Sequence, residues 1–492
     1  MIKRIEIANR YNAFQGRQIN AQYDPDQLNI YQGNPLIECL PPLLETEQMV
    51  GVLAKYPDFD ESHRNLPTAS RLLLLRQAKR FYQPVQQSIE LGLALNTMIR
   101  DSYQYRNPLD FHQCAERRQQ IGAIDWFDID DYDDDGSQTD GIIIVGLSGV
   151  GKTRSLRRNL AYIPQVITHR SYQGQKLILQ QIGWLAIDCP AKGTIWGLCS
   201  AFFAAIDRIL GTNYLKLYVK DRTKAEVLIK SMATIADIHC LGILVIDEVQ
   251  NLEGAREGRV LLNFLVQLSN ELKIPIVLVG TFKAEKVLTH AFRIARRGSG
   301  YVSPIWRALS NNETEDVIND WSIFLKALWR FQYVQHPIKL NKALSNTLYD
   351  VSVGIIDLAI KIFISAQGRA ILTGTEKLTS GLFRSVAHDE FPWTSAAVNA
   401  MKVGTKTALL KYEDLYHSHM ELDAIKATML PVPSGQSKAN TQKDLPPEPL
   451  EETPLFIFQG KSLLEIGTES EMSNYEAMQQ KGLIYSLKEL LS

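Results

Sequence analysis

Residues 146–153 read Gly-Leu-Ser-Gly-Val-Gly-Lys-Thr, the pattern G-x-x-x-x-G-K-[ST], directly after the apolar run Ile142-Ile143-Ile144-Val145. The context restricts the fold more than the string does. The apolar run predicts a buried strand, the glycines a tight turn, and the segment from Lys152, with Leu156 and Leu160 on one face, a helix. Such a turn aims backbone N–H groups and a helix N-terminus at an anion. Glycines let the backbone wrap a phosphate without a Cβ clash. The candidate nucleotide contacts are Gly146, Ser148, Gly149, Val150, Gly151, Lys152, Thr153 and Arg154. Lys152 is expected on the β- and γ-phosphates and Thr153 on Mg²⁺, which makes ATP and Mg²⁺ the expected cofactors.

A second apolar run, residues 241–246 (LGILVI), ends in Asp247-Glu248. An Asp at the carboxyl end of a strand suits the Mg²⁺ shell, and the Glu beside it can polarise a water for attack on the γ-phosphate. Both halves sit on strands in the expected order. A degenerate, binding-only site would not need Lys152, Asp247 and Glu248 all intact.

The chain has 492 residues, room for about two to four domains, and 45% apolar content supports a sizeable core. The formal net charge is −1, so nucleic-acid binding would have to come from a local patch. Cys39, Cys114, Cys189, Cys199 and Cys240 are scattered without a C-x-x-C pair, which fits a reducing compartment and gives no zinc spacing. No opening leader pattern and no apolar run of membrane-spanning length is visible, so a cytoplasmic protein without a membrane partner is expected.

Along the chain, residues 1–120 read as a mostly helical N-terminal extension, with helical patterns near 70–82 and 85–99. Residues 121–310 read as an α/β nucleotide-binding core. It opens with an acidic linker, 125–140, that holds eight aspartates. Asp131, Asp133, Asp135 and Gly136 imitate the start of a calcium loop, but the twelfth position is Ile142 rather than Glu, so a solvated linker is the better reading. Strands are expected at 184–188 and 276–280, with helices at 194–210, 227–239 and 261–272. Strands alternating with helices imply a parallel sheet sandwiched by helices, with the ligand at the strands' carboxyl ends. Residues 311–430 read as an α-helical lid and following helices, helical throughout from 311 to 390. Residues 431–454, rich in Pro, Glu, Ser and Lys, read as a disordered linker. The tail 455–492 regains apolar residues and is either a partner-docking peptide or an ordinary terminal helix.

Hydrolysis needs more than these two motifs. Thr281 follows the third core strand, where a hydroxyl could orient the attacking water. Arg296 and Arg297 follow a helical pattern and precede Gly298-Ser299-Gly300. They are candidates to reach a neighbouring subunit's γ-phosphate, or else a solvated basic helix end. Lys361 could sense phosphate from the lid side.

With the phosphate loop, the Asp-Glu strand, Thr281, the paired arginines and a helical lid in this order, the chain resembles the AAA+ ATPases. More narrowly it is similar to the TnsC family, the ATP-dependent regulators of heteromeric bacterial transposons, some of which work with CRISPR effectors. Non-catalytic stretches carry that narrower likeness: residues 34–43 (NPLIECLPPL), 162–170 (YIPQVITHR), 244–252 (LVIDEVQNL), 294–300 (IARRGSG), 354–361 (GIIDLAIK) and Ala366-Gln367. The resemblance spans about residues 30–390. It implies an AAA+ core that oligomerises on double-stranded DNA when ATP is bound, as a ring or helical filament of six or seven subunits per turn. It also implies partners: a target-selection protein and transposase subunits.

The residues themselves say less about DNA. Six Lys/Arg and no acidic residue lie between Lys152 and Lys176, and Lys192 and Thr194 sit where the second core strand turns into a helix. Lys216, Lys220, Arg222 and Lys224 form a further basic stretch. Lys192, Thr194, Lys216, Lys220 and Arg222 are the candidate DNA contacts, and solvated faces are the alternative. No base-reading motif is visible, so backbone contacts without sequence readout are expected. Two other functions stay open: a signalling or defence ATPase that assembles without DNA, and an adaptor without turnover.

Overall fold

Four apolar runs become the four strands of one parallel sheet in the computed structural model. The structure describes residues 15–24, 28–123, 141–220, 223–252, 258–284, 305–311, 319–392, 398–399, 402, 457–458 and 461–462. The chain divides into two compact units, Met1–Glu413 and Asp414–Ser492. In the second, the described residues are a short antiparallel pair, Ile457–Phe458 with Lys461–Ser462.

In chain order the first unit holds strand β1 (Gln18–Asn20), the helical turn α1 (Pro35–Glu38), and helices α2 (Thr46–Leu53), α3 (Thr68–Gln77), α4 (Gln86–Gln104) and α5 (Phe111–Ala123). Next come β2 (Gly141–Val145), α6 (Lys152–Tyr162), β3 (Val166–Tyr172), β4 (Gln175–Ile182) and β5 (Trp184–Asp188). Helices α7 (Ile195–Leu210), α8 (Tyr214–Tyr218) and α9 (Ala225–Ile238) lead to β6 (Ile243–Asp247), α10 (Gly258–Leu272) and β7 (Ile276–Gly280). The lid is α11 (Asp320–Trp329), α12 (Lys342–Ser352), α13 (Ile356–Thr373) and α14 (Ser380–Glu390).

The core sheet runs β2-β7-β6-β5, every pair parallel. A single parallel bridge from Gly146 to Trp306 extends it beyond β2. Its strands are unbroken apolar runs because both faces are covered. Leu185, Leu244, Ile246 and Leu278 meet Phe202, Phe203, Met232 and Leu268 in one cluster, while Val245, Val277 and Val279 are buried outside it. Helix α7 shows how the sequence specifies an element. Ile195, Leu198, Cys199, Phe202, Ile206 and Ile209 recur at helical spacing and are all buried. The Thr194 side chain caps the start by accepting from the Gly197 N–H, and Gly211 at φ +72° ends it. Each fully buried aromatic on that face stabilises the fold by about 1.5–3 kcal/mol.

A second sheet, β1-β3-β4, was not foreseen. β1 pairs parallel with β3, and β3 and β4 form a hairpin around Gln173 (φ +46°) and Gly174 (φ +77°). The dipeptide Gln173-Gly174 was its legible signal: a two-residue turn with both φ positive suits the twist of a hairpin.

The N-terminal helices pack directly on the core. The Tyr82 hydroxyl reaches both Ser88 Oγ and Ser155 Oγ, and Asn159 Nδ2 donates to the Ser88 carbonyl. These bonds tie α4 to α6. Tyr103 and Arg106 donate to the Cys240 and Leu241 carbonyls and hold the turn that enters β6. On the lid side, buried Arg71 of α3 makes a two-pronged pair with Glu376, both contacts 2.7 Å. The lid is not helical throughout: residues 331–341 form an irregular connector. Gln332 braces it, bonding the backbone N–H and carbonyl of Ile338.

Candidate nucleotide-hydrolysis site

The loop between β2 and α6 takes its shape from backbone that only glycine adopts easily. Gly149 and Gly151 stand at φ +82° and +101°. Gly146 has no room for a side chain, since a Cβ there would lie 2.1 Å from the Trp306 carbonyl oxygen. Lys152 is buried, and its Nζ donates to the Gly146 and Leu147 carbonyls at 2.7 Å each, so the ammonium sits inside the loop it belongs to. The lid closes on the same loop: the Asp357 N–H donates to the Gly149 carbonyl at 3.1 Å. Lys361 is 2.9 Å from the Asp357 carboxylate, which brings the lid lysine one residue from the loop.

The parallel register then sets the acidic end of β6 beside the loop. The Thr153 hydroxyl donates to Asp247 Oδ2 at 2.9 Å, joining residues 94 positions apart in the chain. Asp247 Oδ1 accepts the Glu248 N–H at 2.8 Å. Burial, helped by the neighbouring Glu248 charge, pushes the Asp247 carboxyl up to about 6. Arg157, one turn after Thr153 on α6, feels the charges of Asp247 and Asp188 against the burial that lowers it. Nothing in residue type or spacing marks this arginine for the site.

Glu248 adopts a left-handed backbone, φ +59°. One carboxylate oxygen accepts from Gln250 Nε2, and Gln250 Oε1 accepts the Thr281 N–H at 3.2 Å. Thr281 follows β7, which pairs with β6, so Asp247, Glu248 and Thr281 share one rim of the sheet. Among the described residues, Thr281 Oγ1 is buried with no hydrogen-bond partner. A buried hydroxyl without a partner costs about 1–3 kcal/mol, and a water or phosphate oxygen at the rim would satisfy it.

An all-oxygen pair, Thr153 and Asp247, fits Mg²⁺, which keeps several waters and takes few protein ligands besides substrate phosphates. Among the described residues there is no cluster of three or more His, Cys, Asp or Glu that would make a self-sufficient metal cage.

Other sequence candidates lie elsewhere. Arg154 turns to the N-terminal layer, donating to the Lys79 carbonyl at 2.9 Å with its guanidinium over the Tyr82 ring. Lys192 is exposed and Thr194 is occupied as the α7 cap. Lys216 and Lys220 are exposed on the segment after α7, which folds back so that Tyr218 stacks on Phe203 in the middle of that helix. Arg222, Arg296, Arg297, the 125–140 aspartates and the 431–454 linker lie outside the described residues, as does the 455–492 tail apart from its short strand pair.

Residues 135–288 match the AAA domain family model. A search of curated proteins returns no match. Among solved structures, the Orc1 protein of Aeropyrum pernix, in complex with DNA, is 16% identical, with 59% of this chain and 68% of that one aligned at a TM-score of 0.34. The Walker-type ATPase of Pyrococcus abyssi is 13% identical, with 65% and 77% aligned at 0.33. Likenesses this distant establish no role for this chain. The case rests on a glycine loop between strand and helix, an acidic strand end bonded to it, and the family match across both. The protein is an ATPase built on an AAA+ core.

Proposed function

We propose that the protein is an ATP-dependent, DNA-bound oligomeric regulator of DNA transposition that links a target-selection protein to the transposase. The non-catalytic stretches from Asn34 to Gln367 that resemble the TnsC family carry this reading. The site supplies its motor. The loop from Gly146 to Thr153 cradles the phosphates, Lys152 meets the β- and γ-phosphates, and Thr153 and Asp247 hold Mg²⁺. Bound there, Mg²⁺ neutralises phosphate charge. Glu248 takes the proton of the attacking water, Thr281 orients that water, and Arg296 or Arg297 reaches the site of the next subunit.

DNA contact is assigned to Lys192 and Thr194 after β5 and to Lys216, Lys220 and Arg222 beyond α7. A few phosphate contacts per subunit suffice when a ring or filament repeats them, and such binding weakens with salt. Retention on duplex DNA with and without Mg·ATP, across a salt series, tests the proposal. ATP-dependent, salt-sensitive retention that Lys152→Ala abolishes is expected. Nucleotide-driven assembly with no DNA retention would instead make this a switch of the signalling or defence kind.

A further inference from the structure

Gln250 follows the catalytic Asp247-Glu248 pair without belonging to it, and its side chain joins the two working ends of the sheet. We propose that Gln250 is a positioning residue for hydrolysis, holding the Glu248 carboxylate in register with the Thr281 segment. The inference rests on the ATPase reading of the site.

Both ends of the Gln250 amide are committed. Nε2 donates to Glu248 Oε2, and Oε1 accepts the Thr281 N–H at 3.2 Å. A reversed amide would set an oxygen against a carboxylate and an NH₂ against an N–H, so its orientation is fixed by its neighbours. The surroundings hold it there. Gly280 packs so close that a Cβ would lie 2.7 Å from Val249 Cγ2 and 3.2 Å from Gln250 Oε1. Asn251, next in the chain, donates its own N–H to the Glu248 carbonyl at 3.0 Å and its Nδ2 to the Cys189 carbonyl at 2.9 Å. The turn after β6 is thus pinned to the ends of β5 and β7.

Glu248 needs this restraint. Its backbone is left-handed, its side chain is only partly buried, and its carboxylate sits at the end of a flexible chain of rotatable carbon–carbon bonds. Pinning one oxygen leaves the other to take the water's proton as the bond to the γ-phosphorus forms and ADP leaves. A general base contributes about 10²- to 10⁴-fold when well placed, and much of that depends on geometry.

The test measures phosphate release and ATP affinity for wild type, Gln250→Ala, Gln250→Glu and each change on Glu248→Gln. Gln250→Ala is expected to lower kcat about tenfold with ATP affinity within about twofold, because the side chain's hydrogen bonds go to Glu248 and Thr281 rather than to the phosphate loop. Gln250→Glu keeps the acceptor for Thr281 N–H but loses the donor to Glu248, so it is expected to be no better than alanine. On Glu248→Gln, Gln250→Ala should produce no further fall. An unchanged kcat in Gln250→Ala overturns the proposal. So does rescue by Gln250→Glu, which would mean the residue only braces Thr281, or a full tenfold fall on the Glu248→Gln background. Wild-type protein that binds ATP but releases no phosphate overturns the ATPase reading itself, and this proposal with it.

Discussion

Glu248 sits at φ +59°, a backbone that costs a non-glycine residue on the order of 1–3 kcal/mol and that clusters at working sites. Its neighbour Asp247 carries a different burden. In the folded chain its carboxyl is raised from 3.8 to about 6, so the folded state holds that proton more tightly than the unfolded one. Stability from this group is present at acid pH and is lost as pH rises through about 6. Asp247→Asn should therefore stabilise the nucleotide-free protein at pH 7.5, by up to about 3 kcal/mol, read as a higher Tm without ligand. The same variant should lose Mg·ATP binding. Protons and metal compete for one carboxylate, so wild-type Mg·ATP affinity should fall as pH drops through about 6. Equilibrium titrations at pH 5.5 and 7.5 check this; equal affinities would contradict the burial argument.

Individual elements carry the coupling between loop and lid. Gly354 precedes α13 at φ +71°, and a Cβ there would lie 2.0 Å from the Leu309 carbonyl oxygen. Gly354→Ala should displace the start of α13, break the Asp357-to-Gly149 bond and weaken ATP binding, readable in a nucleotide titration. At the far end of the same helix, Arg71→Ala would leave Glu376 without its guanidinium, at a cost of about 3–5 kcal/mol for a broken buried pair. A thermal melt reads that loss. The elements differ in how plainly the chain announces them. Strands β2, β5, β6 and β7 were legible because a strand covered on both faces is an unbroken apolar run. β3 and β4 were marked only by the Gln173-Gly174 turn: Arg170, Ser171, Lys176, Ile178 and Gln180 are exposed, so no clean alternation accompanies it. The connector at 331–341 carries a sequence signal, Pro337, which a helix interior does not accept, and the helical pattern on either side obscured it; Gln332 then braces the irregular backbone. Gln250 was illegible for a different reason. Its partner Thr281 lies 31 residues away, and the left-handed step at Glu248 that aims the two side chains at each other leaves no mark in residue type.

At the scale of the molecule, the N-terminal layer grips both the core and the lid. It supplies β1 to β3, Tyr103 and Arg106 to the turn before β6, and Arg71 to the lid. Removing residues 1–123 should therefore leave a core that does not melt cooperatively; a soluble, cooperatively folding remainder would show that the layer is dispensable. The layer also touches the catalytic helix through Tyr82 and Ser155, two residues after Thr153. No helix of the described residues is long and apolar enough to cross a membrane.

The central claim is that the loop around Gly149 grips a triphosphate and the Asp247-Glu248 strand end helps cut it. Paired measurement of ATP binding and phosphate release by wild type and Glu248→Gln, with Mg²⁺ present, tests it most directly. Wild type should bind and turn over, while Glu248→Gln should bind ATP as tightly and release phosphate at least about 10²-fold more slowly. Equal phosphate release by the two proteins, or no Mg·ATP binding by either, would contradict it.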